Sequence, residues 1–274
     1  FSTQFKNRWR LNGSFTRQSD NISYSQLRGG PSFILPGEIG FNLNLSTDQS
    51  KKVIFYTGFY NGIGDEKSYR YNEYWGELDI RPMNSLIVSF SPDYSLNSSK
   101  LEYVSTIGNS NDVKYLFGKL DMKTLSFTFR INYTINPELS IEYYGQPFIS
   151  AGKYSVFKKI TDPHADHFND RYHIFTDNEI SLNTPNNTYI VDENNNGTED
   201  YSFSNPDFNF RQFRSNLVVR WEYLPGSTLY LVWSQGRTSS ASNGLFSYGN
   251  DIKDLFDILP HNIFLLKFSY WFSL

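Results

Sequence analysis

Hydrophobic and polar residues alternate along most of this chain, and the final stretch shows the alternation most clearly. From position 264 onward every even position is apolar or aromatic, whereas the odd positions include Lys267 and Ser269. The apolar set is Phe264, Leu266, Phe268, Tyr270, Phe272 and Leu274. Because successive side chains of a strand point to opposite faces, this period of two predicts a β-strand. Strands of roughly 9 to 11 residues with lipid-facing aromatics are typical of bacterial outer-membrane barrels, which predicts that this strand inserts into a membrane.

The same alternation recurs in earlier segments and is clearest in a central hairpin. Its apolar positions run from Leu125 to Ile135, turn at Asn136-Pro137-Glu138 and return from Leu139 to Tyr143. Less regular alternation occupies 100–108 and 113–121. The other predicted strands lie at 5–17, 41–45, 53–59, 74–81, 86–90, 213–223 and 229–235. We therefore predict an all-β, antiparallel transmembrane outer-membrane β-barrel, with roughly a dozen strands, as one domain over 1–274.

Two segments depart from the strand pattern. Residues from about 152 to 210 are rich in Asn, Asp, Thr and Pro, which predicts one long loop, with room for a short hairpin. Residues 251–259 have the spacing of one or two helical turns and precede Pro260. We expect a short helix there, before the last strand.

Charged residues occupy the polar positions of several predicted strands. The predicted lumen-facing set is Arg8, Arg10, Arg130, Glu142, Arg214, Arg220 and Glu222. In the dry core of a soluble sandwich so many charges would cost several kcal/mol each, roughly, whereas a wet lumen accommodates them. They would line a selective channel, or form a salt-bridged plug with Glu77 and Asp79 that keeps the barrel closed. Their mixed sign favours the plug.

Composition supports the barrel and excludes other classes. Aromatic residues make up 18% of the chain and all hydrophobic residues only 39%, which suits aromatic girdles around a polar interior. The chain contains no run of about 18 uncharged apolar residues, so no transmembrane helix is predicted. The absence of cysteine excludes disulfides and thiolate metal sites, and a net charge of −3 without a basic cluster argues against a nucleic-acid partner. Phe1 is not a natural start, so we expect a piece of a longer protein.

One segment resembles a calcium-binding loop, in which oxygen ligands alternate along the chain and a glycine permits a sharp bend. The candidate ligands are Asp192, Asn194, Asn196, Thr198 and Asp200, with Gly197 at the bend. Two asparagines reduce the ligand charge, and Phe203 stands where a bidentate glutamate is usual. The alternatives are a structural calcium ion and an ordinary Asn-rich turn; no other cofactor is predicted.

Catalytic signatures are weak. Histidine and carboxylate residues cluster between Asp162 and His173, but their spacing matches no zinc signature, so a solvated loop is the better interpretation. The chain also lacks a Gly-x-Ser-x-Gly elbow. We predict that it is not an enzyme.

Several longer sequence blocks resemble a known family. They occupy residues 28–31, 124–133, 136–140, 146–154, 205–209, 213–227 and 230–235. Together they look like the carboxy-terminal barrel domain of a large Bacteroidota outer-membrane family with a signal peptide and an amino-terminal module similar to family 9 carbohydrate-binding modules. The resemblance implies an outer-membrane location and an upstream part holding that module and the first strands of the barrel. It implies no activity, because the family's domain is of unknown function.

These observations predict a multi-pass barrel in the bacterial outer membrane that anchors or scaffolds the upstream glycan-binding-like module or other envelope proteins. Its expected partners are the lipid bilayer, other envelope proteins or lipoproteins, and glycan through the upstream module. One alternative is a transporter or porin for a solute or a glycan fragment. Another is an accessory subunit of a secretion or barrel-assembly complex in the envelope.

Overall fold

The computed structural model describes residues 1–109 and 112–272, and its strands are all antiparallel to their neighbours. They are β1 (Ser2–Gln4), β2 (Arg10–Gln18), β3 (Asn21–Ser23), β4 (Phe33–Leu35), β5 (Glu38–Ser46), β6 (Val53–Gly64), β7 (Tyr69–Met83), β8 (Leu86–Asn109), β9 (Asp112–Asn136), β10 (Leu139–Ile160), β11 (Tyr172–Ile174), β12 (Ile180–Asn183), β13 (Thr188–Val191), β14 (Tyr201–Ser204), β15 (Phe208–Leu224), β16 (Ser227–Ala241) and β17 (His261–Ser269). The prediction of an all-β, antiparallel fold is confirmed.

Eleven of these strands form the main sheet, in the order β1-β2-β5-β6-β7-β8-β9-β10-β15-β16-β17, and β11 adds to β10. Consecutive strands are joined at one end, the turn end, by short connections such as 84–85, 137–138 and 225–226. Connections at the opposite end, the cap end, include the long segments 19–37, 161–207 and 242–260. Each strand of the main sheet is paired with the strands next to it in this order, which is an up-and-down topology.

Strands β8 and β9 are much longer than predicted, at 24 and 25 residues. The weakly patterned segments 100–108 and 113–121 are therefore the cap ends of these two strands and not separate strands. Register shifts occur between Ser99 and Glu102 and between Tyr103 and Ser105. A bulge reverses which residues share a face, so strict alternation fails in the sequence where the strand itself continues.

The predicted long loop from about 152 to 210, with room for a short hairpin, is confirmed only as a long connection over 161–207. Strand β10 continues to Ile160, β15 begins at Phe208, and β12-β13-β14 form a three-stranded sheet between them. We call residues 19–37 and 161–207 the cap. Strands of four residues separated by polar turns give too few alternations to stand out in the sequence. These short strands form because their apolar side chains are buried against β9 and β10.

Two apolar clusters hold the cap to the main sheet. The first joins Leu27, Phe33, Phe168 and Tyr172 of the cap to Leu101 and Phe117 of β8 and β9. The second joins Phe175, Val191, Tyr201 and Phe203 to Leu116 and Phe157 of β9 and β10. Apolar burial is the main favourable term in folding, so the cap is a folded unit on the sheet.

An α-helix, α1 (Tyr248–Asp257), precedes the last strand. It confirms the predicted helix at 251–259, although it begins three residues earlier. Among the described residues, no helix has the length and apolar character needed to cross a membrane.

The last strand, β17, ends at Ser269, so Tyr270 and Phe272 lie beyond it, and Leu274 lies outside the described residues. All nine residues of β17 are exposed. Within residues 1–109 and 112–272, β17 pairs with β16 alone and β1 with β2 alone, so the described sheet is not a closed barrel. Both edges of the main sheet therefore keep unpaired backbone groups.

One face of the main sheet is apolar across most of its width. Paired residues form a continuous row: Val53, Ile80, Val88, Ile131, Tyr143, Leu217, Trp233 and Phe264. The next row toward the turn end is Leu86, Tyr133, Ile141, Val219, Leu231 and Leu266. We call this surface the apolar belt. Many of its side chains, such as Leu231 and Phe264, are solvent-exposed.

Candidate functional site: the polar face and the cap

The face opposite the apolar belt is mostly polar. The row next to the one through Ile131 contains Ile54, Asp79, Ser89, Arg130, Tyr144, Asn216, Ser234 and Ile263. Hydrogen bonds join neighbours on this face, including Ser89 Oγ to Asp79 at 2.5 Å and Tyr56 Oη to Asn44 at 2.7 Å. A sheet that is apolar on one side and hydrogen-bonded on the other suits two different environments.

The structure places six of the seven predicted lumen residues on the polar face. Their positions follow strand parity: Arg10 on β2, Arg130 on β9, Glu142 on β10, and Arg214, Arg220 and Glu222 on β15. Arg8 differs, because it lies in the turn between β1 and β2 with a φ of 65°. Its guanidinium donates to Ser50 Oγ at 3.4 Å.

Ion pairs on the polar face are local. Arg220 contacts Glu222 at 2.8 Å on the same strand, and Arg81 lies 3.9 Å from Asp79. Among the described residues, Arg10, Arg214 and Glu142 take part in no ion pair. Arg130 lies over the ring of Tyr144, 5.2 Å from its centroid. The charges therefore do not form the predicted plug of cross-linked pairs.

A small cavity of about 230 Å³ lies at the cap end. Its lining includes Gln18, Glu38, Tyr69, Glu102 and Phe168, and Tyr69 Oη donates to Glu38 at 2.7 Å. Burial raises the pKa of Glu102. Ligand sites are usually larger, about 300–1,000 Å³, so this cavity suits at most a small polar solute.

Arg171 organises the cap from its interior. It is 1% exposed, and its guanidinium donates to the carbonyls of Ala165 at 2.8 Å, Asp166 at 3.0 Å and Ile34 at 2.8 Å. The Ile34 contact joins the two segments of the cap, which are far apart in sequence. Sequence reasoning missed this residue, because nothing local marks an arginine as buried.

Lys158 is the second buried cation at the cap end of the sheet. Its Nζ donates to the carbonyl of Lys100 at 2.6 Å and lies 4.5 Å from the centre of the Tyr172 ring. Burial, with smaller contributions from Lys100 and Lys119, lowers the pKa of Lys158 to about 8, from an ordinary value of 10.5. Protonation of this amine therefore opposes folding near neutral pH.

We expect the stability of the cap to rise between pH 8 and 10.5. Below pH 8 Lys158 is protonated in both the folded and the unfolded state, so folding must bury a charged amine. Between pH 8 and 10.5 only the unfolded state keeps the proton, so the free energy of unfolding rises with pH. The gain is roughly 3 kcal/mol at most. Chemical denaturation of the wild type against pH measures it. Lys158→Met should abolish this component of the rise, whereas Lys159→Met should keep it; equal profiles for the two variants would contradict the assignment.

The candidate calcium loop is a hydrogen-bonded turn in the structure. Asp192 accepts from the backbone N–H of Gly197 at 2.7 Å and of Asn196 at 3.1 Å, Asn196 accepts from that of Thr198 at 2.8 Å, and Asp200 accepts from that of Glu193 at 2.8 Å. The described residues contain no group of three or more His, Cys, Asp or Glu side chains that could hold a metal ion. Calcium binding stays a prediction, which calorimetric titration of the wild type against Asp192→Asn would test.

The histidines of the cap make separate contacts. His164 Nε2 lies 2.9 Å from Ser32 Oγ, and His173 Nε2 lies 2.8 Å from Glu179 Oε1. Burial opposes ionisation of Glu179, but hydrogen bonds from Thr176 and His173 outweigh it and lower the pKa of Glu179. These contacts join neighbouring segments of the cap.

Comparisons with known proteins give a family match and a structural match. A family model described as "Domain of unknown function (DUF5916)" matches residues 1–273. No curated protein matches the sequence. Among solved structures, a chain named "Copper transporter OprC" is similar, at 10% identity and a TM-score of 0.48. The alignment covers 95% of this chain and 36% of that one, so this chain spans about a third of the transporter's length.

Proposed function

This chain belongs to the DUF5916 family, a domain of unknown function, and from that premise we propose that its main sheet forms the wall of an outer-membrane β-barrel that acts as a non-enzymatic anchor and scaffold. The observation that supports the proposal most is the pairing of a continuous apolar belt with a polar opposite face. In a barrel the belt contacts lipid and the polar face lines the interior.

The dimensions of the belt suit a membrane. On β9 the apolar positions run from Leu125 to Ile135, which is eleven residues. Tilted by about 45°, such a segment spans about 25 Å, the height of the apolar band in outer-membrane barrels. The cap ends of β8, β9 and β10 then project beyond the bilayer and hold the cap outside it.

Strand direction limits how the barrel closes. Eleven strands alternate along the main sheet, so β1 and β17 run in the same direction. Antiparallel closure between these two edges needs an odd number of additional strands. Such closure would pair the exposed β17, since an open sheet edge is not tolerated in lipid.

A scaffold fits the cap better than a free pore does. The cap is folded around Arg171 and two apolar clusters, so it presents a defined surface for another envelope protein. We regard a transporter or porin as the second candidate, because the polar face would line an interior that admits a solute. The third is a subunit of an envelope secretion or barrel-assembly complex, bound through the cap.

Purification of the full-length protein from native membranes in mild detergent tests the proposal. We expect extraction to require detergent and mass spectrometry to find envelope proteins at fixed stoichiometry. Bilayer conductance of the purified protein should stay at the level of empty bilayers. A lone protein that forms steady channels would favour the transporter, and a protein released without detergent would contradict the membrane location.

A further inference from the structure

Helix α1 packs on the apolar face of the main sheet, at the cap end of the belt. The ring of Tyr248 lies 6.0 Å from that of Phe127, Phe246 lies 6.5 Å from Tyr94, and Phe256 lies 5.1 Å from Phe213. Phe127, for example, has the same strand parity as the belt residues Phe129 and Ile131 on β9. The helix therefore lies outside the proposed barrel and not within its interior.

Polar side chains fix α1 to this outer face. Arg211 is 6% exposed and contacts Asp254 at 2.5 Å and Asp251 at 3.7 Å. Asn209 donates to Asp251 at 2.8 Å, and Arg237 donates to the carbonyls of Phe256 and Ile258. Leu255, on the side of the helix that faces the sheet, is fully buried.

Helix α1 covers charged side chains on the outer face of the sheet. Without it, the guanidinium groups of Arg211 and Arg237 would stand on the apolar side of β15 and β16, close to the belt. Arginine on the lipid face of a barrel is unfavourable, the more so toward the middle of the bilayer. Asp254 and Asp251 contact Arg211, and the carbonyls of Phe256 and Ile258 accept from Arg237, so α1 covers part of both groups.

Segment 245–259 exposes apolar residues at its two ends and polar residues along α1. Leu245 precedes the helix and is 60% exposed, and Leu259 follows it and is 89% exposed. Lys253 and Asp257 form a solvated ion pair at 2.9 Å on the helix between them. A short segment that exposes apolar residues beside charged ones resembles the elements that lie flat in a membrane interface.

We propose that residues 245–259 form an interfacial strap that inserts Leu259 into the adjacent leaflet of the bilayer beside the barrel, with Lys253 and Asp257 directed toward water. The proposal rests on the proposed membrane location. Its occupant is a lipid surface, because the exposed apolar residues of the segment continue the apolar belt at its cap end. The strap thereby restores a lipid-compatible surface over Arg211 and Arg237.

Site-specific fluorescence in proteoliposomes tests the strap. The chain contains no cysteine, so single cysteines can carry an environment-sensitive dye in the full-length protein. Leu259→Cys is the test position, and Lys253→Cys, on α1 in the same segment, is the matched control. Leu266→Cys on the belt reports on the spanning sheet, and Asn195→Cys in the cap reports on water. Lipids with a nitroxide near the headgroup or deep in the chains serve as quenchers.

We expect the shallow quencher to act about threefold more strongly at position 259 than at 195 or 253, because interfacial helices insert about 5–10 Å. Position 266 should respond to the deep quencher. Quenching at 259 no stronger than at 195, or equal quenching at 259 and 253, would overturn the strap. If position 266 is quenched while 259 is not, the result contradicts the strap but agrees with the barrel. The exposed side of α1 would then be a surface that contacts protein. If neither is quenched, the membrane location itself fails.

Discussion

Ile131→Arg is expected to destabilise the protein in a bilayer by about 2–4 kcal/mol. Ile131 lies near the middle of the belt on β9, between its partners Val88 and Tyr143. In the proposed barrel these side chains face the centre of the bilayer, where a guanidinium loses its hydration. Equilibrium unfolding by guanidinium chloride from lipid vesicles measures the change.

Asn132→Arg is the matched control for this prediction. Asn132 is the next residue of β9 and belongs to the polar face, opposite Ile87 and Glu142. We expect little change in its free energy of unfolding, because the new charge would lie in a wet interior beside a carboxylate. Equal losses in the free energy of unfolding at positions 131 and 132 would contradict a lipid-facing belt. They would indicate a sandwich in which both faces of the sheet are covered.

Arg171→Met is expected to open the cap, at a cost of roughly 3–5 kcal/mol. Methionine keeps much of the side-chain volume but leaves the carbonyls of Ile34, Ala165 and Asp166 without their donor. Hydrogen exchange read by mass spectrometry should show loss of protection in 161–207, together with 27–35. Protection of β15, β16 and β17 should persist, because their pairing does not involve the cap.

Arg17→Met is the control for the buried arginine. Arg17 pairs with Asp65 at 2.6 Å, but both side chains are well exposed, at 48% and 33%. Exposed ion pairs contribute little to stability, so we expect cap protection to be unchanged. If Arg171→Met left the exchange pattern as in the wild type, the cap would be held by its apolar clusters alone. Such a cap would not depend on the carbonyl contacts that join its two segments.

Only part of the candidate site could be predicted from the sequence. Strand parity was sufficient to assign Arg10, Arg130 and Glu142 to the polar face, because alternation is a local property of extended backbone. Arg8 was misassigned, since a turn with positive φ interrupts the alternation there. The contacts of Asn209 and Arg211 with α1 could not be predicted from the sequence. Their acidic partners lie about 40 residues away and pair only once β15 and α1 are adjacent.

The sequence by itself determined most strands of the main sheet, their two faces and the helix before the last strand. These follow from local periodicity: adjacent side chains in a strand point to opposite sides, so the pattern of polar and apolar residues records the environment of each face. The tertiary structure alone decided the cap, the burial of Arg171 and Lys158, and the position of α1 outside the sheet. Each depends on contacts between segments distant in sequence, whose free energy appears only when the chain brings them together and removes water from between them.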